Sequence, residues 1–241
     1  MQAAKHAPWG VTALLLLTVA LSARLLNADV LFVDEYWSLR NSGAIFGPLS
    51  PAGIWERTAT LDPGGMGVLY HWLLAGWQAL AGPGVATARA FSLLAGLLSI
   101  AALYRLGAQL YGWRVGLYAA ALLAGCAFYL DYFHEARAYT LIALEVVLAA
   151  WAYWRVRFAP ITPGPQQVLA LVVTLAALAY THYVTLAFCA AIGLHHLLTF
   201  HREKRWGLAL LAMIAAALLF LPWMDVVLIV VERGAGDSGR H

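Results

Sequence analysis

Apolar residues in this chain fall into long unbroken blocks, where a soluble helix would show a stripe recurring every three or four positions. "VTALLLLTVALSARLL" at 11–26, "ARAFSLLAGLLSIAALY" at 88–104 and "GLALLAMIAAALLFL" at 207–221 are apolar on every helical face. A bilayer core of about 30 Å takes about 20 helical residues at about 1.5 Å each. The blocks and their polar punctuation predict spans at 9–27, 86–104, 115–132, 138–154, 168–183, 184–200 and 206–223. The predicted fold is therefore an all-α polytopic membrane protein, a helical bundle with about seven transmembrane helices. The first block follows Lys5 as a signal peptide would, but its length from Trp9 to Leu26 is that of a retained span.

The polar interruptions differ in kind. Arg105–Arg114, Arg155–Arg157 and "HREKR" at 201–205 are short and basic, whereas Asp34, Glu35, Glu56, Asp62, Asp131 and Glu135 fall in the alternate connections. Short basic loops remain in the cytoplasm, which predicts a cytoplasmic N-terminus and an outward acidic face. One apolar run, "GMGVLYHWLLAGWQALAG" at 65–82, would invert every later loop if it crossed. Its Tyr70, His71, Trp72 and Trp77 suit a helix lying at the outer surface. An outer loop therefore runs over 28–84, with turns at "GPLSPAG" and "LDPGGMG" and two short surface helices at 34–44 and 66–81. A connection of that length is functional more often than passive.

Composition sharpens this picture. Hydrophobic residues make up 63% of the 241 and charged residues 11%, against about 25% charged in a soluble domain. The formal charge of +3 comes from basic residues scattered between apolar runs. They form no stripe, so nucleic acid is excluded as a partner and orientation in the bilayer explains the excess. Cys126 and Cys189 lie inside apolar runs and are expected to be buried thiols, with neither a disulfide framework nor a metal knuckle.

Acids near a bilayer are costly unless they meet water, a partner or a substrate. Asp34 and Glu35 end the first span, and "LDYFHEARAYTL" at 130–141 places Asp131, His134, Glu135 and Arg137 at the same predicted face. On a helix Asp131, His134 and Glu135 share one side, and Arg137 joins them only if the helix breaks. Each group alone also reads as a solvated helix end; together, beside a long outer loop, they read as a site. Glu145 falls mid-span, where a hydrogen-bonded structural role competes with a role in proton or solute transport. His195 and His196 are adjacent and expected at the interface, while His182 in "YTHYVTL" lies at the acid-rich end of its span.

The succession "VDEYWSLR", "DPGGMGVLYHWLLAGW", "RAFSLLAGLLSIAALYRLGAQLYG", "FHEARAYTL" and "YTHYVTL" resembles membrane glycosyltransferases of the glycosyltransferase family 39 type. That superfamily comprises protein O-mannosyltransferases and lipid A aminoarabinose transferases, and the likeness runs from about residue 9 to residue 224. It implies a GT-C fold, an essential acid in the first outer loop, and a sugar donor carried on a polyprenyl phosphate. The family's acidic motif falls on Asp34 and Glu35, and its second polar patch on Glu135, Arg137 and Tyr139.

On that likeness Asp34 would take the proton of the attacking hydroxyl, and Glu35 would orient the acceptor or a metal. Arg137, with Arg89 second, would hold the leaving lipid phosphate, and His182 would contact substrate. Transfer would invert the anomeric carbon. The partners implied are the polyprenyl-phosphate sugar, the bilayer, and a glycan, lipid or protein acceptor; a divalent cation is left open. The expected location is a bacterial inner membrane with the active site outside.

Relatives commonly carry a Pro-Pro pair where this chain has Asp62-Pro63-Gly64-Gly65. They are also longer, so residues 1–241 are read as a single membrane domain lacking a C-terminal portion. Two rival functions follow from the residues: a transporter or flippase of lipid-linked substrates working through Glu145, and a non-catalytic truncated relative. Acids gathered at one face, without an internal repeat, favour the enzyme.

Overall fold

A computed structural model describes residues 3–27, 30–45, 47–61 and 67–229. The Asp62–Gly65 motif and the polar tail after Ile229 lie outside the described residues. The described chain is all-α, with no β-strand. Its helices are α1 (Ala3–Ser22), α2 (Val33–Ser42), α3 (Pro51–Leu61), α4 (Val68–Ala81), α5 (Val85–Tyr111) and α6 (Trp113–Ala124). There follow α7 (Ala127–Asp131), α8 (Tyr139–Arg157), α9 (Pro165–Thr181), α10 (Thr185–Leu198) and α11 (Lys204–Phe220). Leu16, Leu98, Leu122, Leu169 and Leu211 are exposed on these helices, an apolar exterior that only a lipid solvent leaves unpenalised.

The chain forms two compact units, Met1–Pro48 with Leu73–Val147 and Leu49–Trp72 with Leu148–His241. In the first, α1, α5 and α6 pack around Val11, Leu93, Ile100, Tyr104 and Ala120, together with Tyr129 and Phe133. Glycine sets the spacing at two points. A Cβ on Gly107 would lie 2.8 Å from the Gly116 Cα, so α5 and α6 meet backbone to backbone. A Cβ on Gly96 would lie 2.1 Å from the Phe133 ring, so this glycine makes the seat on α5 for the segment after α7.

The second unit pairs α9 with α11 and sets α10 beside α9. Trp55 of α3 meets Trp223 edge-on at 4.6 Å and lies 6.2 Å from Tyr180. The Gly67 amide donates to Thr181 O at 2.8 Å, and a Cβ there would run into the Tyr180 carbonyl. Arg157 pairs with Glu203 at 3.1 Å.

Among the described residues the full-length spans number fewer than seven. Three segments are long and apolar enough to cross a membrane, Val85–Tyr111, Tyr139–Arg157 and Lys204–Ile229. A fourth arises if Trp113–Ala124 and Ala127–His134 count as one span, yet these are bent by 65°. The predicted straight span at 115–132 is therefore broken, at Gly125 and Cys126. The apolar helices Trp9–Leu25, Pro165–Thr181 and Thr185–Leu198 are shorter, because at about 1.5 Å per residue they fall short of a core of about 30 Å.

The predicted loop helices at 34–44 and 66–81 correspond to α2 and α4, and α3 is an additional one. α4 does not lie bare on the surface: Tyr70, His71 and Leu74 are fully buried. Neither cysteine is fully buried, since the helix break leaves Cys126 exposed and Cys189 is half-buried. His196, expected at an interface, is buried against Trp206 with ring centroids 4.6 Å apart.

Candidate active site

Everything at this site belongs to the first unit, and it begins with the start of α2. Phe32 precedes the helix in extended conformation and Glu35 stands at its third position, where a carboxylate can reach back to the entering amide. Glu35 Oε2 accepts from the Phe32 amide at 3.2 Å. The same carboxylate takes Arg89 of α5 in a bidentate grip, Nε to Oε1 at 2.8 Å and Nη2 to Oε2 at 2.7 Å. Oε1 also accepts from the Ala136 amide at 2.8 Å.

Arg89 continues to the carbonyls of Leu26 and Val30 at 3.2 and 3.4 Å. Glu35 is 0% and Arg89 1% exposed. A buried pair of this kind holds only when its donors and acceptors are met, and here four N–H groups converge on two oxygens. Burial opposes the Glu35 charge, but the bonds from Arg89, Ala136 and Phe32 outweigh it and hold the carboxyl below its ordinary value. The clamp ties together α2, α5, the lead into α2 and the segment 135–137.

That segment is shaped by the end of the bent helix pair. α7 stops at Asp131, a 3-10 turn covers Tyr132–His134, and Glu135 is extended. The Arg137 amide then donates back to Glu135 O at 2.8 Å, and Ser92 Oγ of α5 donates to Arg137 O at 3.2 Å. The turn brings the Arg137 guanidinium to Asp34, Nη1 to Oδ2 at 3.2 Å. Its Nη2 donates to the Tyr139 hydroxyl at 3.3 Å, and Tyr139 lies against Tyr132 with ring centroids 4.3 Å apart.

These side chains enclose a cavity of about 200 Å³, lined by Asp34, Phe128, Asp131, Tyr132, Glu135, Arg137 and Tyr139. Its polar groups are three carboxylates, one guanidinium and two phenols, beside an aromatic wall. Burial, then the nearby Glu35 charge, raise the Glu135 carboxyl above its usual value against the pull of His134 and Arg137. Asp34, by contrast, has a side chain 62% exposed. Such a site can take up a proton, pair an anion and stack a ring.

Asp34, Glu135, Arg137 and Tyr139 thus come together as lining groups. Glu35 and Arg89 are bonded to each other behind them and do not line the cavity. With its oxygens occupied by N–H donors, Glu35 has no geometry for orienting an acceptor or a metal. His182 belongs to the second unit, where it ends α9 and accepts from the Val184 amide at 3.2 Å. Among the described residues no three His, Cys, Asp or Glu side chains gather as metal ligands. Phe128 and Tyr132 are additions that sequence reasoning missed; their signal was the aromatic cluster "FYLDYF" at the break.

The fold is that of an all-α integral membrane protein whose polar side chains collect where two helices break. The family model for dolichyl-phosphate-mannose-protein mannosyltransferase matches residues 66–229, more than half of the chain. The chain belongs to that family and is a membrane glycosyltransferase of the GT-C type. No curated protein and no solved structure matches it. Arg89, Glu135, Arg137 and Tyr139 lie inside the matched stretch, and Asp34 and Glu35 precede it.

Proposed function

We propose that this glycosyltransferase moves a sugar from a polyprenyl-phosphate donor to an acceptor hydroxyl at the periplasmic face of a bacterial inner membrane, with the cavity around Asp34 as its active site. The observation that carries this reading is the Asp34–Arg137 pair at the cavity rim, 3.2 Å apart. The Asp34 end of the pair is open, its side chain 62% exposed against 14% for Arg137, so an incoming phosphodiester can take the guanidinium from the carboxylate. Donor binding then leaves Asp34 as a bare acceptor for a proton.

In the transfer, the acceptor oxygen attacks the anomeric carbon and the bond from that carbon to the phosphate oxygen breaks. Polyprenyl phosphate departs with the electron pair, its charge held by Arg137, and the acceptor proton passes to Asp34. A single displacement by one base inverts the anomeric centre. Tyr132 and Tyr139 offer ring faces for the sugar, and Glu135 a hydrogen-bond partner for its hydroxyls. Glu35 and Arg89 are positioning residues: they fix the backbone that presents Asp34 and Arg137. Residues 1–241 act in this reading as one membrane domain of two compact units.

The test is the full chain in lipid nanodiscs with a panel of labelled polyprenyl-phosphate sugars and a crude envelope acceptor, alongside Asp34→Asn. The expected result is sugar transfer with stoichiometric release of polyprenyl phosphate, lost in the variant. Transfer undiminished in Asp34→Asn contradicts the assignment of the base. Movement of intact lipid-linked sugar between leaflets without release of phosphate supports the transporter reading in its place.

A further inference from the structure

A second cavity is unrelated to the acid site. It lies in the second unit and has a volume of about 840 Å³. Its walls come from α9 and α11, with Val168, Leu169 and Val172 on one side and Leu208 on the other. Leu169 is 61% exposed, so the groove opens to the same apolar surroundings as the outside of the helices. At one end stand Lys204 and Arg205, with the turn Thr162–Pro165 opposite.

The charge at that end is positive on balance. Glu203 also lines the groove, but its carboxylate pairs with Arg157 at 3.1 Å and is neutralised there. Arg205 is pinned against the carbonyls of Ala159 and Pro160, which fixes its guanidinium beside the groove without cancelling its charge. Lys204 is exposed. Both walls are helix starts, α9 at Pro165 and α11 at Lys204, and the positive ends of the two helix dipoles add to the field.

We propose that this groove is a binding site for an anionic glycerophospholipid. The headgroup phosphate is held by Lys204 and Arg205, and an acyl chain lies along Val168, Leu169, Val172 and Leu208. The apolar wall on α9 runs for about 6 Å from residue 168 to residue 172 at about 1.5 Å per residue, room for the first few methylenes of an acyl chain, whose remainder continues over the exposed apolar surface of the helices. A free phosphate would use the cationic end and leave the apolar length empty, whereas an uncharged lipid would use the length and leave the cations unmet. Only an anionic lipid answers both, as basic pockets between membrane helices do generally. The occupant differs from the polyprenyl donor proposed above, and the site shares no residue with that cavity.

The test is native mass spectrometry of the full chain purified in detergent, loaded with phosphatidylglycerol or with phosphatidylcholine of identical acyl chains. The expected result is at least tenfold stronger retention of phosphatidylglycerol, falling about fivefold in Lys204→Gln, the worth of one basic charge near a lipid surface. Leu169→Trp, which fills the groove from an exposed position, reduces retention of both lipids. Melting temperatures of both variants match the parent, separating lost binding from lost folding. Equal retention of the two lipids, or an unchanged preference in Lys204→Gln, overturns the proposal. Displacement of the bound lipid by inorganic phosphate at equal concentration also overturns it, by assigning the end group to a free anion.

Discussion

Asp34 and Glu35 are neighbours in sequence, yet they occupy opposite electrostatic worlds. Glu35 is sealed with Arg89 behind α2 and accepts four N–H groups; Asp34, one residue earlier, stands exposed on the cavity rim with one contact to Arg137. Both are acid–arginine pairs, but the energetics differ in kind. Breaking the inner pair strands a charge in a low-dielectric interior, while breaking the rim pair returns the Asp34 carboxylate to water and leaves the Arg137 guanidinium for an incoming anion. The contrast teaches a division of labour: the inner pair builds the site, and the outer pair is open enough to be exchanged for substrate.

Substitutions should separate the two regions. The largest effect is expected from Arg89→Met, which leaves Glu35 buried without its counter-charge and should cost about 3–5 kcal/mol of stability. Chemical or thermal unfolding in nanodiscs reads that loss, and a change under 1 kcal/mol would break the comparison. Arg137→Met should leave the melting temperature within about 2 °C while lowering turnover about 10²-fold, as loss of one charge-stabilising donor does. Turnover with a labelled lipid-linked sugar measures it.

Acid should weaken the inner pair. The Glu35 carboxyl has a folded value below its ordinary 4.5, so its stabilisation is complete above that pH and is lost as pH falls through the lowered value. The Glu35 contribution to the melting temperature should therefore be constant from about pH 7 to about pH 5 and be lost below that range, and Arg89→Met should flatten this acid limb. The smallest effect is expected at Glu135, whose carboxyl is pushed up by burial and by the Glu35 charge. Glu135→Gln removes that penalty and should raise the melting temperature by about 2 °C while reducing turnover, the usual trade at a functional site.

Much of this arrangement can be read from the chain. Six of the seven predicted spans each overlap one apolar helix, the span at 115–132 is split between α6 and α7, and the acids of 34–35 and 131–135 point to one site. What escapes is long-range or irregular. Helical periodicity assumes an unbroken helix, so it turns Arg137 away from the acids; only the end of the helical turn at His134, with the extended Glu135, turns it back. The Glu35–Arg89 pair joins residues 54 apart. Its one local sign is an arginine at the head of an apolar run, which must find an acid. α3 escapes because "PAGIWERTATL" at 51–61 holds no apolar block, although Ser50 before Pro51 is a start signal, with Ser50 Oγ accepting from the Gly53 amide at 3.1 Å.

The most direct test sets Asp34→Asn beside Glu35→Gln in the same nanodisc preparation and measures turnover and melting temperature for each. The account predicts that Asp34→Asn keeps the parental melting temperature and loses turnover by about 10³-fold, the scale of a missing general base. It predicts that Glu35→Gln lowers the melting temperature first, with turnover falling only as the fold is lost. Full turnover in a well-folded Asp34→Asn, or an unchanged melting temperature in Glu35→Gln, would contradict the division between the two acids.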